Sequence, residues 1–231
     1  MAENDLVALK DGEKGVVLQR DKQTYGIAPH MPCGLCTPEM LRKLADVAEK
    51  YGIPAIKITS AERIALLGIK PEDVDAIWAE LGMEPGHVVG ICVRSVKACP
   101  GTTYCKRGQQ DSLAVGLIMD RKYHGKRLPG KMKIGVSGCM NQCAETNFKD
   151  IGLVGKPTGW MVVAGGSGGG ARARIADVIA ERLSTEEALT LVDRLMECFI
   201  KNAKPHERMG RLIDRIGLAA VKEAVGVAGV A

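Results

Sequence analysis

Two short cysteine segments constrain this chain more than any other feature of its sequence. Five residues separate Cys99 from Cys105, and three separate Cys139 from Cys143. Four thiolates delivered as two pairs suit a cubane iron–sulfur cluster, because four cysteines usually hold such clusters. Zinc pairs usually have two to four intervening residues. Spacing therefore favours a cluster but leaves open a zinc site or four unrelated core cysteines.

The residues beside these cysteines agree with a cluster. Pro100 lacks a backbone donor and favours extended backbone at Cys99. Gly101 and Gly138 have no Cβ, so main chain can approach a bulky inorganic core. The predicted cluster ligands are Cys99, Cys105, Cys139 and Cys143.

The segment Leu128–Cys143, which ends in Gly-Cys-Met-Asn-Gln-Cys, resembles the sulfite and nitrite reductase family. Members of that family carry sirohaem coupled to a [4Fe–4S] cluster. The resemblance continues through Asp150–Gly155 and Ala164–Gly166, and it extends back to Arg94–Gly101. It covers most of the chain from about Tyr25 to Leu218, and the two cysteine motifs in this order make it specific.

The resemblance implies an α+β fold that holds a single copy of the family's repeat. Residues 1–24 would form an N-terminal arm with one strand near 15–20. Residues 25–88 would form a ferredoxin-like half-domain, and residues 89–231 an α/β domain that binds sirohaem and the [4Fe–4S] cluster.

Local patterns predict the elements of the half-domain. Thr37 as N-cap and Pro38 at the first helical position predict a helix that ends before Gly52. A strand is expected at 54–59, with Ile56 and Ile58 on one face. A second helix should follow Pro71. The inward stripes are expected to be Leu41, Leu44, Ala45 and Ala48 in the first helix, and Val74, Ile77, Trp78 and Leu81 in the second.

The second region should contain a helix over 103–123 with Leu113, Leu117 and Ile118 inward. Ser184 and Glu187 form a capping sequence for a long helix that ends near Ala203. Further helices are predicted from Pro205 to about Gly217 and over 218–225. Strands are expected at 87–96, 131–137, 151–154 and 160–164.

The family resemblance also implies roles for individual residues. Cys143 would ligate both the cluster and the sirohaem iron, so that one sulfur atom joins the two. Asn141 and Gly166 would contact the macrocycle, and Arg172 and Arg174 would bind its carboxylates. The anionic substrate would be bound by Arg63, Arg94, Lys131 and Lys133.

Strand geometry supports the lysines independently. Residues i and i+2 of a strand face the same way, so Lys131 and Lys133 should present two ammonium groups together while Met132 and Ile134 turn inward. Arginine offers a planar fork for oxyanions, and lysine offers a compact charge. The alternative for each cation is a solvated surface charge, and Arg63 has the least distinctive setting.

Other motifs carry less information. The loop 165–171 contains G-x-G-x-x-A, a weak dinucleotide fingerprint, because the acidic residue expected about 20 positions later would fall at a helix start near Glu186. An alternative interpretation is a surface loop. Cys33 and Cys36 form a C-x2-C pair that we interpret as free thiols, and no role is assigned to Cys92 or Cys198.

Composition excludes several classes. A net charge of +5 suits small anionic ligands, whereas 3% aromatic residues give little base stacking for nucleic acid. No apolar stretch is long enough for a membrane span, and we see no secretory signal. Eight cysteines without a signal indicate thiols kept reduced in a cytoplasm or used as ligands.

The predicted function is the six-electron reduction of sulfite to sulfide or of nitrite to ammonia. No flavin or convincing nicotinamide motif is present, so electrons should come from an external donor protein. A homodimer with composite sites is expected, because a single chain carries both the cysteines and the cations. The alternatives are a ferredoxin-like electron carrier or regulator without sirohaem, and a zinc-bearing structural protein.

Overall fold

The computed structural model describes residues 9–170 and 172–227 and contains two compact units, divided between Gly90 and Ile91. The division falls two residues beyond the predicted boundary after residue 88. Each unit has its own sheet, so the fold is α+β, as expected. Within the described residues, no helix combines the length and the apolar character needed to cross a bilayer.

In its described residues, the first unit is a four-stranded antiparallel sheet with two α-helices. The strands are β1 (Val17–Leu18), β2 (Tyr25–Ile27), β3 (Ala55–Ile58) and β4 (Ile64–Ile69), and the helices are α1 (Pro38–Lys50) and α2 (Val74–Leu81). The strand order is β1-β2-β4-β3. Because β1 pairs with β2, the predicted arm contributes to this sheet in its described part.

Helix α1 begins as predicted, but its buried stripe differs. The Thr37 hydroxyl accepts a hydrogen bond from the Met40 N–H. The buried residues are Leu44, Val47 and Ala48, whereas Leu41 and Ala45 are exposed. Because alanine occurs on both the buried and the exposed side of this helix, the sequence pattern did not determine which side faces the core. In α2, Val74, Ile77 and Leu81 are buried as predicted, while the Trp78 ring is partly exposed and its N–H donates to the Lys14 carbonyl.

Strand β3 forms where it was predicted, but it contributes nothing to the core. All four of its residues are exposed, Ile58 to 79%, and β3 is an edge strand of the sheet. The sequence analysis missed β4, which supplies buried Ala65, Leu66 and Ile69. The core of this unit therefore depends on β2, β4 and the inner faces of the two helices.

The second unit is a five-stranded mixed sheet in sequential order. Its first three strands are parallel neighbours, and the last two are antiparallel. The strands are β5 (Val93–Ala98), β6 (Met132–Ser137), β7 (Ile151–Lys156), β8 (Gly159–Ala164) and β9 (Asp177–Leu183). The helices are α3 (Gly101–Tyr104), α4 (Ser112–Tyr123), α5 (Thr185–Asn202), α6 (Met209–Ile216) and α7 (Leu218–Ala224).

The prediction of one continuous helix over 103–123 is wrong. The chain leaves helical geometry at Cys105, and a new helix begins after Asp111, whose side chain accepts from the Ala114 N–H. Leu113 is buried, but Ile118 is exposed, and Val115 and Met119 take the inner positions. The intervening segment bonds to another loop, a non-local contact that periodicity does not reveal.

The starts of one helix and one strand also differ from the predictions, and one strand was missed. The helix expected from Pro205 begins only at Met209, because the Glu207 carboxylate and the Lys204 N–H close a turn first. The strand expected at 87–96 begins at Val93, and β9 was missed altogether. The capping box of α5 is confirmed: Ser184 Oγ accepts from the Glu187 N–H, and the Glu187 carboxylate accepts from the Ser184 N–H.

Candidate functional site

The two cysteine pairs begin at the carboxyl ends of adjacent parallel strands. Strand β5 ends at Ala98, directly before Cys99, and β6 ends at Ser137, two residues before Cys139. Ala98 pairs in register with Val136, so both strands end at the same edge of the sheet. Open parallel sheets generally bind their ligands at this edge.

A glycine contact joins the two cysteine loops. The Gly138 N–H donates to Cys99 Sγ at 3.1 Å. A Cβ built on Gly138 would lie 2.8 Å from the Gly101 Cα, and Gly101 itself has a φ of +59°. Backbone N–H groups of Gln109 and Gln110 donate to the Gly138 carbonyl at 2.7 and 3.1 Å. These glycines therefore permit the two loops to pack against each other.

The four thiols are arranged for access. Cys105 and Cys143 are exposed, and Cys99 and Cys139 are partly exposed. Across residues 9–170 and 172–227, no three His, Cys, Asp or Glu side chains form a group for one metal ion. A cubane cluster needs four thiolates spread around a larger core. Four thiols in two loops that contact each other supply the donor chemistry of such a cluster.

Three of the four predicted substrate cations lie in the second unit and affect one another. Lys131 and Lys133 are partly exposed, while Met132 and Ile134 are fully buried, as the alternation predicts. The β5–β6 register shifts between Val93 and Ser95, at Arg94, and bulges of this kind redirect a side chain. Arg94 lowers the pKa of both lysines through its charge.

Positive charges lie close together in this cationic group. Burial lowers the pKa of Lys133 below its ordinary value, and the charges of Lys149, Lys131, Arg208 and Arg94 lower it further. The pKa of Lys131 is likewise lowered, first by burial and then by Arg208 and Arg94, although the Asp150 charge opposes this. An anion bound here would relieve the repulsion.

A buried ion pair that the sequence analysis missed supports this group. The Asp150 carboxylate accepts from Arg208 Nε at 2.6 Å and Nη2 at 2.7 Å, and from the Lys133 N–H at 2.8 Å. Burial raises the pKa of Asp150, and the Arg208 charge opposes that rise. An acidic residue directly before the apolar segment 151–154 was the only sequence signal, and Arg208 gave none.

A cationic cleft of about 540 Å³ lies beside these residues. Its charged lining consists of Lys131, Arg172, Arg174, Arg208, Arg211 and Asp214, and Gly169 and Gly170 also line it. Arg172 is exposed there.

Arg174 and Gly166 are engaged within the chain. Arg174 donates to Asp177 at 2.6 Å and to Asp214 at 3.0 Å. Gly166 is buried, and a Cβ on it would lie 2.3 Å from the Asn147 carbonyl oxygen. The structure therefore gives Arg174 carboxylate partners of its own, and it gives Gly166 a packing reason for being glycine.

The remaining predicted site residues lie elsewhere. Arg63 belongs to the first unit and is 4% exposed, and its charge, after burial, lowers the pKa of His87. Asn141 is exposed in the turn between Cys139 and Cys143. In the first unit Cys33 is buried and Cys36 is exposed, and neither forms a disulfide.

The fold and this site define a class: an α+β protein with four thiols in the loops that follow two adjacent parallel strands and a cationic cleft in the same unit. Residues 89–229 match the nitrite and sulphite reductase 4Fe-4S domain, and residues 17–84 match the nitrite/sulfite reductase ferredoxin-like half domain. The chain belongs to the nitrite and sulfite reductase family, with one copy of each domain.

Relatives of this chain differ greatly in length. It is 45% identical over 217 residues to "Sulfite reductase, assimilatory-type" of Nitratidesulfovibrio vulgaris. The aligned residues cover 94% of this chain and 99% of that protein. It is 37% identical over 208 residues to "Nitrite reductase [NAD(P)H]" of Bacillus subtilis. Here the aligned residues cover 90% of this chain but only 26% of that protein.

Two solved structures share the fold. A dissimilatory sulfite reductase I (DsrI) matches with a TM-score of 0.80 at 16% identity, over 90% of this chain and 70% of that one. The NirA protein of Mycobacterium tuberculosis matches with a TM-score of 0.75 at 19% identity, over 97% of this chain and 43% of that one. At such identities the likeness concerns the fold alone.

Proposed function

We propose that this chain is a sirohaem- and [4Fe–4S]-dependent reductase that converts sulfite to sulfide, with nitrite to ammonia as the second candidate. The observation that carries the proposal is the presence, in one unit, of four thiols that are at least partly exposed and of three cations, Arg94, Lys131 and Lys133, that repel one another. The relative that this chain matches over nearly its whole length is named a sulfite reductase, which favours sulfite.

The donor chemistry suits both cofactors. Cys99, Cys105, Cys139 and Cys143 would hold the cluster, and the exposed Cys143 thiolate would also bind the sirohaem iron. The Gly138 N–H at Cys99 Sγ stabilises a thiolate, because charge-assisted hydrogen bonds are the stronger ones. When bound, these groups would pass the donor's electrons to the substrate. Asn141, Gly166, Arg172 and Arg174 would surround the macrocycle.

The cations would bind the substrate and deliver protons to it. Arg94 offers a planar donor edge, and Lys131 and Lys133 offer ammonium groups for the oxygens of the anion. A lowered pKa makes Lys133 a better proton donor near neutral pH than an ordinary lysine. Full reduction of either anion consumes protons, so Lys133 is our first choice for the general acid. Arg63 would complete the substrate set.

Electrons would come from a separate donor protein in the cytoplasm, where thiols stay reduced. A ferredoxin-like carrier or regulator without sirohaem is the rival function. Electron transfer alone gives no reason to place Arg94, Lys131 and Lys133 so close together that their charges repel, whereas binding a small anion does.

We also propose a symmetric homodimer with composite sites, in which one subunit supplies the cysteines and its partner the cations. Twofold dimers are the commonest closed assembly, and each chain carries both sets once. The cysteines and Arg94, Lys131 and Lys133 lie in the same unit, so a site within one chain is the alternative.

The function is tested by product analysis. Anaerobically purified protein, given a reduced viologen dye and either anion, should form sulfide from sulfite or ammonium from nitrite with six electrons consumed per product. Protein that accepts electrons from the dye but consumes neither anion would be a carrier, and the proposal would fail.

A further inference from the structure

We propose that Arg208 is an additional oxyanion-binding residue of the cationic cleft and that Asp150 is the positioning residue that orients it. The inference rests on the proposed function, because it assigns a further binding group to the same site.

The first observation is that only some of the hydrogen-bond donors of the Arg208 guanidinium are engaged. Arg208 donates through Nε and Nη2 to the two oxygens of Asp150, which occupies one edge of the planar fork. In the described part of the chain, its Nη1 makes no hydrogen bond. The residue lines the cleft together with Lys131. Arg208 can therefore keep its bond to Asp150 and still offer a donor to an oxyanion.

The second observation is the fixed position of Asp150. Its side chain is 1% exposed, and a buried carboxylate is tolerated only with good partners. The Asp150 N–H donates to the Lys133 carbonyl at 3.0 Å, and its carbonyl accepts from the Gly165 N–H at 2.8 Å. With its carboxylate on Arg208 and on the Lys133 N–H, Asp150 joins β6, the end of β8 and the start of α6.

Comparison with other arginines distinguishes Arg208. Arg174 also lines the cleft, but it uses Nε, Nη1 and Nη2 for Asp214, the carbonyls of Gly165 and Ile175, and Asp177. Arg215 forms a similar two-point pair with Glu207 but does not line the cleft. Arg208 alone of these three combines an anchored edge with donors that are still available at the cleft.

The electrostatics agree with this assignment. After burial, the Arg208 charge is the largest influence that lowers the pKa of Lys131, so the two cations are close enough to share one ligand. The ligand chemistry is an oxyanion, which could be a carboxylate of the sirohaem or an oxygen of the substrate. Arginine suits either, because its guanidinium donates hydrogen bonds to the oxygens of carboxylates and of inorganic oxyanions.

The test uses Arg208→Met and Arg208→Lys in the anaerobically purified holoenzyme, with Arg215→Met as the matched control. Sirohaem per chain is measured from the visible spectrum, and sulfite binding from the rise of the melting temperature against sulfite concentration. Loss of one charged hydrogen bond should weaken binding about tenfold. A fall in sirohaem content would indicate a macrocycle carboxylate, and a weaker sulfite response at full sirohaem content would indicate the substrate.

A double-variant comparison tests the positioning role of Asp150. Because Asp150 acts through Arg208, Asp150→Asn should weaken ligand binding in the parent but add nothing to Arg208→Met. If Asp150→Asn does not fold, the Arg208 variants alone decide. Sirohaem content and sulfite response that match those of Arg215→Met would overturn the inference. A failure of the proposed function is distinguishable, because it would appear in the parent.

Discussion

Replacement of Cys143 by serine is expected to abolish sulfite reduction and to remove both cofactors' characteristic absorption. Cys143 is the residue we assign to both the cluster and the sirohaem iron, so its loss should affect two bonds at once. Cysteine sulfur suits iron–sulfur clusters far better than a hydroxyl. Turnover should fall below detection, and iron per chain should fall with it.

The control for this variant is Cys36→Ser, which also replaces an exposed free cysteine but lies in the first unit. It should keep the spectrum and the turnover of the parent. A Cys143→Ser protein with the iron content and activity of the parent would show that Cys143 is an ordinary surface thiol.

The same variant tests the composite dimer. Cys143→Ser mixed with Arg94→Glu should recover activity after subunit exchange if cysteines and cations come from different chains. One site of the heterodimer would then carry both changes, and the other would be intact. If each site lies within one chain, every site in the mixture stays damaged. Absence of recovery after confirmed exchange would exclude composite sites.

Replacement of Lys133 by methionine should lower turnover on the order of 10²-fold if this lysine supplies a proton. The same change should stabilise the protein. A lysine whose pKa is lowered in the folded state destabilises that state at neutral pH, and the loss is regained as pH rises through the lowered pKa. Methionine removes this penalty, so the melting temperature should rise by about 2–4 °C per kcal/mol relieved.

Melting curves at neutral and alkaline pH measure this effect, and the gain should shrink at the higher pH. The control is Lys156→Met, because Lys156 pairs with Glu181 on the same sheet away from the cationic group. Parent-like turnover in Lys133→Met would mean that Lys133 is only a surface charge. A stability loss as large as that of the control would contradict the destabilising effect of the Lys133 charge.

Sequence patterns predicted the elements whose signals are local. The N-cap at Thr37, the capping box at Ser184 and the alternation around Lys133 all involve neighbours within four residues. The break between α3 and α4 depends on Gln109 and Gln110 bonding to Gly138, almost 30 positions away. A contact between residues so far apart does not appear in the hydrophobic periodicity of the sequence.

The residues of the candidate site also fall into those that local sequence patterns reveal and those that only the fold reveals. Its cysteines could be recognised from their spacing, and Lys131 and Lys133 from strand alternation. Arg208 could not be found, because its partner Asp150 lies 58 residues away and only the fold brings them together. The phase of α1 failed for another reason: small apolar residues on several sides of a helix do not specify which side is buried.

Cofactor content tests the central claim most directly. Anaerobically purified parent protein should contain about five irons per chain, four in the cluster and one in the macrocycle, with the visible bands of an isobacteriochlorin. Four irons without those bands would indicate an electron carrier. A colourless protein that contains zinc would contradict the account.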